Sequence, residues 1–222
     1  MLIIEDKVKS IGIYVALTAC RNVVVKQDNY IKSLLEDLVK DVMKSHDIGR
    51  LKDHPLVRAY IDTMWRLGID PTKIRSSSEA LLRRILRRSY LPSINNVVDA
   101  CNIASARNIV VVSVIDLDKV SPPLTLRFAK SGEEFTDLSG KVRILKDYEI
   151  VLSDSKGTII HLYPYRDSAK SAISSSTKNV VAVAYGAEGI PKHRLLDALK
   201  EFVDIVLHSV PNAKCEKPVL IL

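Results

Sequence analysis

Apolar residues alternate at Ile11, Ile13, Val15 and Leu17, and Val23-Val24-Val25 follows Arg21-Asn22, so residues 8–25 are expected to form one or two strands around a turn. From Asp28 the spacing lengthens to three and four. Ile31, Leu34, Leu35, Leu38, Val39 and Val42 make one stripe of a helix that Asp28 caps and that runs to about His46. Residues 44–53 are polar and loop-like. His54-Pro55 opens a second helix, because proline is tolerated in a first turn, and Gly68 is a natural stop. After the break at Asp70-Pro71, Ser76 to Ser78 with Glu79 caps a third helix over about 77–89. A fourth follows Leu91-Pro92, capped by Ser93 or Asn95 and ending near Asn108.

Beyond Asn108 the pattern changes. Ile109 to Val112 reads as a short buried strand, and residues 124–128 alternate. Ser139-Gly140 and Asp154-Ser155-Lys156-Gly157 are turns between strands at about 141–145, 149–153 and 158–163. Asn179 to Ala184 is a last strand, and Pro191 opens a helix to His208 with Leu195, Leu196, Leu199, Phe202, Val203 and Val206 on one face. A helical first half and a strand-rich second half predict an α+β fold, read as one domain over residues 1–222. Trp65 and Met64 are expected in the core.

Composition narrows the partners. Of 222 residues, 47% are hydrophobic and 27% charged, as in an ordinary folded protein. A net charge of +7 favours anionic partners, nucleic acid first. Only 5% are aromatic, which argues against a base-stacking platform. Glu5, Asp6 and Lys7 interrupt the apolar start, and no apolar run approaches a membrane span, so a cytoplasmic location is expected. Cys20, Cys101 and Cys215 are far apart and odd in number, which argues against a zinc ribbon and a disulfide framework. The five histidines lack metal-ligand spacing, and no phosphate-cradling loop occurs; neither metal nor cofactor is expected. Lone His161 in a strand reads as a core or edge residue.

The fourth helix carries the most unusual chemistry. Asn95, Asn96, Asp99 and Asn102 fall within a mostly apolar stretch, although asparagine competes with the helix backbone and belongs at caps. One or both of Asn95 and Asn96 are expected to cap the helix or tie a loop, and Asp99 to hold backbone. Asn102, interior to the helix, is the best functional candidate. On the third helix Arg83, Arg84, Arg87 and Arg88, with Lys73 and Arg75 upstream, form either a solvated face or a set of phosphate contacts. Arg166, Asp167 and Ser168 follow a strand. Either they form a turn with an internal ion pair, or Arg166 holds an anion while Asp167 fixes its orientation. Cys101 has no histidine near it in sequence to activate it.

Six strings occur in one order and spacing: Arg75 to Arg84, Leu91 to Asp99, Asp116 to Lys119, Ser131 to Phe135, Tyr165 to Ser168 and Thr177 to Val180. Over about 54–206 the chain thereby resembles the B3/4 editing domain of the phenylalanyl-tRNA synthetase beta subunit, and free-standing relatives of that domain above all; residues 1–53 are an extension. The resemblance implies a strand-rich core closing into a small, at least partly closed barrel flanked by helices. It also implies a pocket that hydrolyses mischarged aminoacyl-tRNA with positioned polar groups and a water. Carried over, the family's Thr-Asn pair falls on Cys101 and Asn102, its pocket histidine on Ser113, and the glutamate that reads a tyrosine hydroxyl on Val183. The last two departures remove a titrating imidazole and leave tyrosine specificity without support.

The expectation is therefore a deacylase acting in trans on mischarged tRNA. Asn102 and Ser113 would position water or carbonyl. Asn95, Asn96, Asp99, Cys101, Arg166, Asp167, Ser168 and Val183 would line the pocket, and the basic residues over 73–88 would contact phosphates. Two alternatives stand beside it: a non-catalytic binder of tRNA or of an amino-acid-like molecule, and a pure scaffold. A complete aminoacyl-tRNA ligase is not expected, nor is a membrane partner.

Overall fold

The computed structural model describes residues 2–222. Its first sheet is β1 (Leu2–Ile4), β4 (Leu124–Phe128), β7 (Ile150–Ser153), β8 (Ile159–Leu162) and β9 (Arg166–Asp167) in that order, with β1 parallel to β4 and the rest antiparallel. The second sheet has β2 (Val15–Arg21) and β10 (Asn179–Tyr185) at its centre and β3 (Val111–Asp116) along one edge. Two short C-terminal strands, β11 (Lys214–Cys215) and β12 (Val219–Ile221), share the other side of β2. A ribbon of β5 (Glu134–Thr136) and β6 (Val142–Ile144) stands apart.

β10 reads Asn-Val-Val-Ala-Val-Ala-Tyr and is buried along almost its whole length. A strand covered on both faces is a continuous apolar run with no alternation. The helices are a short α1 (Asp6–Lys9), α2 (Asn29–Ser45), α3 (Pro55–Arg66), α4 (Ser77–Arg88), α5 (Asn96–Asn108) and α6 (Lys192–Ser209). α5 touches α2, α4, α6 and β3, so it is enclosed on nearly every side. Small residues at Ala100, Ala104, Ser105 and Ala106 permit that close approach. α6 lays Leu195, Leu199, Phe202 and Val206 on β2, β10 and α5.

Several expectations are corrected. Among the described residues the two sheets do not close into a barrel. The outer side of β3 is covered by α5, not by another strand, and Pro122-Pro123, which lack N–H donors, carry the chain out of the second sheet into the first. Residues 8–14 are not strand: Asp6–Lys9 is helical, and only Val15–Arg21 finds a ladder. The turn at Arg21-Asn22 is present, with Asn22 at φ 58°. β3 runs four residues beyond the expected strand, to Asp116, and Ile109 is a left-handed helix cap. Met64 is buried, but Trp65 next to it is 53% exposed on the outer side of α3.

The cysteines are not all unpaired. Cys20 and Cys215 are directly opposed across β2 and β11 and joined by a disulfide, while Cys101 is free and buried. An odd count leaves one cysteine over; it does not forbid a pair. Glu216 extends the clamp, donating its N–H to Ala19 O (2.8 Å) and accepting the Thr18 hydroxyl at 2.6 Å. The bond closes a loop of 195 residues, and such a constraint on the unfolded chain is worth about 2–4 kcal/mol. Cys215→Ser is therefore expected to lower the unfolding free energy by about 2–4 kcal/mol in urea titrations. The gap to the parent protein should vanish once the parent is reduced.

Candidate functional site

Asn95 is the N-cap of α5, its side-chain oxygen accepting from the N–H groups of Val97 (3.1 Å) and Val98 (2.9 Å). Asn96 points the other way and is 2% exposed. Its amide donates to Val24 O (2.9 Å) and Ser209 Oγ (3.0 Å), and its oxygen accepts from Lys26 N–H (3.0 Å). Asp99 accepts from the Ser93 hydroxyl (2.6 Å) and Ile94 N–H (2.8 Å). Burial nevertheless pushes its carboxyl above the ordinary carboxylate value. Asn102, two turns into the helix, faces a cleft of about 430 Å³, and its carboxamide has no hydrogen-bond partner among the described residues.

That cleft lies between α4, α5, β3 and the strand-to-turn segment after β8. Asn95, Cys101, Asn102, Arg166, Asp167 and Ser168 all line it, with Val98, Val112 and Val114 as apolar wall and Arg84 at its margin. Cys101 donates weakly to Val112 O at 3.5 Å. Burial first, and the charge of Asp167 second, hold its thiol well above the ordinary value, so it is no nucleophile near neutral pH. Ser168 is buried, donating to Thr136 O (3.1 Å) and accepting from Lys170 N–H (3.1 Å).

Ser113 and Val183 do not reach the cleft. They face each other across β3 and β10 behind its wall, and the Ser113 hydroxyl meets that of Tyr185 at 3.2 Å. Nor does Asp167 orient Arg166. Neighbouring residues of a strand project to opposite sides, so Arg166 pairs with Asp137 at 3.0 Å and Asp167 with His161 Nδ1 at 2.9 Å. Asp137 keeps its charge firmly. The Ser139 hydroxyl above all, with backbone N–H groups and Arg166, holds its carboxyl below the ordinary value.

A second hollow of about 380 Å³ adjoins the cleft, and Ala80, Arg84, Tyr165 and Arg166 line both. Lys73, Arg75, Arg83, Arg87 and Arg88 complete it. Two of these cations are committed: buried Glu79 takes Arg83 at 2.6 Å and Arg75 at 3.5 Å. Lys73 lies 3.7 Å from Asp70. Arg84, Arg87 and Arg88 are exposed and meet no carboxylate among the described residues. Tyr165, inside the string Tyr165 to Ser168, lines both hollows, while His161 and Asp137 support the site although nothing near them in sequence announces it.

Comparison with known proteins supplies a lineage. A family model described as the B3/4 domain matches residues 59–197. The phenylalanine–tRNA ligase beta subunit of Fusobacterium nucleatum is 36% identical over 118 residues, 53% of this chain and 14% of that one. The beta subunit from Neisseria meningitidis serogroup B is 31% identical over 116 residues, 52% of this chain and 15% of that one. The chain thus spans about one-seventh of the length of these relatives. An N-terminal fragment of the phenylalanyl-tRNA synthetase beta subunit from Pyrococcus horikoshii superposes with a TM-score of 0.55 at 16% identity, covering 97% of this chain and 50% of that one. At that identity the likeness is one of fold.

The two interior asparagines are expected to separate in a stability measurement. Asn96→Ala strands the Val24 carbonyl and the Lys26 N–H and takes one bond from the Ser209 hydroxyl, and should cost about 2–3 kcal/mol in chemical denaturation. Asn102→Ala removes no protein contact and should stay within about 0.5 kcal/mol of the parent.

Proposed function

Since the chain belongs to the B3/4 domain family, we propose that its cleft takes the acylated end of a tRNA and hydrolyses the ester of a wrongly attached amino acid. One observation carries the reading: Asn102, with its unpartnered carboxamide, and Arg166 line one cleft that runs on into the arginine hollow. An aminoacyl-tRNA end has the same layout, a polar ester beside phosphates. Arginine forks match phosphate oxygens, and the uncommitted cations Arg84, Arg87 and Arg88 supply that chemistry.

An aminoacyl ester is already activated, so modest assistance suffices. The Asn102 amide N–H is free to donate to the ester carbonyl as negative charge develops on its oxygen, and a donor that need not reorganise is an efficient source of rate. Arg166, braced by Asp137, fixes the ligand beside it. Ser113 serves the wall behind the cleft through Tyr185 and has no part in this mechanism. A cytoplasmic location goes with the proposed substrate. Val98, Val112 and Val114 give the cleft apolar walls, so an apolar amino acid suits it.

A non-catalytic binder is the second reading, favoured by the absence of any imidazole or reactive thiolate among the residues lining the cleft. Incubating the purified protein with a panel of mischarged tRNAs decides between them. Ester loss above the spontaneous rate is expected for at least one, with Asn102→Ala lowering kcat/KM by about a hundredfold. Binding without ester loss selects the second reading. Replacing Arg84, Arg87 and Arg88 by alanine together should weaken tRNA binding and reduce the slope of log affinity against log salt by about two.

A further inference from the structure

Asp167 is the only acidic side chain lining the cleft among the described residues, on walls whose charged groups are otherwise Arg84 and Arg166. It neutralises neither. One carboxylate oxygen, Oδ1, is held by His161 Nδ1 at 2.9 Å, Oδ2 has no partner among the described residues, and the side chain is 41% exposed. The imidazole behind it is fixed. His161 is 1% exposed and stacked on Tyr185, with ring centroids 4.5 Å apart and 12° between planes. Its Nε2 is buried without a hydrogen-bond partner. An orphaned buried nitrogen is costly and calls for a compensating role. Here the other nitrogen has that role: it holds one oxygen of a carboxylate that lines the cleft.

A carboxylate with one free oxygen, placed beside the apolar side chains of Val98, Val112 and Val114, is an acceptor for a primary ammonium. We propose that Asp167, positioned by His161, receives the free α-ammonium of the aminoacyl group, so that the cleft selects ligands with an unblocked amine over their N-acylated counterparts. This rests on the reading of the cleft as an aminoacyl-ester site and adds the chemistry by which the acyl group is recognised. An N-acyl group presents no cation to Asp167 and leaves Oδ2 desolvated and unpaired. The opposite end of the ligand, rich in phosphate, belongs to the arginine hollow. The two charge signs therefore fix the direction in which the ligand lies.

The test uses the full chain and hydrolysis-resistant 3′-amide analogues of aminoacyl-adenosine. Each apolar amino acid is presented as the free amine and as the N-acetyl derivative, with binding measured by calorimetry. The free amine is expected to bind on the order of ten- to a hundredfold tighter. Asp167→Asn keeps the shape and should bring that ratio close to one without weakening the N-acetyl ligand. His161→Phe, which keeps a ring on Tyr185 but loses the donor, should lower the ratio. His161→Asn, whose amide N–H can replace Nδ1–H, should restore most of it. A simple folding defect would weaken both ligands alike and leave the ratio untouched. A ratio near one in the parent, or an unchanged ratio in Asp167→Asn, overturns the proposal while leaving the deacylase reading intact. Failure of the parent to bind either form overturns the aminoacyl reading and this proposal with it.

Discussion

A helix enclosed on nearly every side must find a partner for each polar group it carries, and α5 governs the architecture through that requirement. Asn96 is the knot. It holds the chain entering α2 through Val24 and Lys26, and it reaches Ser209 at the end of α6. The Ser209 hydroxyl in turn donates to Asp28, the N-cap of α2, at 2.6 Å. One carboxamide thus ties three helices, in an interior where an unpaired amide would cost more than the bonds themselves yield. Asn95 and Asp99 are absorbed in the same way at the helix entrance. Against that background an interior asparagine left unpaired, as Asn102 is, is informative because it is the exception.

Charge is apportioned by the same logic. Glu79, buried in the first turn of α4, satisfies Arg75 and Arg83 and sits near the positive end of the helix dipole. Further along the same helix Arg84, and Arg87 and Arg88 in its last turn, face solvent and pair with no carboxylate among the described residues. Exposed guanidinium groups cost little to keep apart in water, and their mutual repulsion is relieved when an anion arrives. Arg166 differs, because Asp137 fixes its place before any ligand comes. The hollow therefore combines a positioned cation with adaptable ones.

The helices were legible because their apolar stripes and caps are local: Asp28, Ser76 and Asn95 cap as the spacing implies. The strands of the second half were legible as segments, but their partners were not. The tail strands β11 and β12 are too short to carry a period, and their attachment depends on β2, some two hundred residues away. The disulfide follows from that pairing and was hidden with it. The site divides similarly. Asn102 stood out because asparagine is misplaced in a helix interior. The link from Asp167 to His161 was invisible because it is a cross-strand pair between β8 and β9. Sequence adjacency suggested Arg166 as the partner of Asp167, and the alternation of a strand sends the two side chains apart.

Ser113 and Val183, onto which the sequence resemblance places a histidine and a glutamate, are direct cross-strand neighbours. A change at either position is therefore felt at the other. A larger side chain at position 113 would compete with Tyr185, whose hydroxyl meets Ser113 and whose ring lies on His161. With serine there, Tyr185 fills the wall and supports an imidazole delivered from the other sheet. The site has an imidazole after all, two contacts from position 113, but it is turned toward a carboxylate and away from the ligand. An imidazole in the cleft can exchange protons with a substrate, whereas one buried behind Asp167 can only hold a charge in place. The proposed recognition of a cation draws on that difference, which leaves Asn102 as the polar group nearest the proposed chemistry.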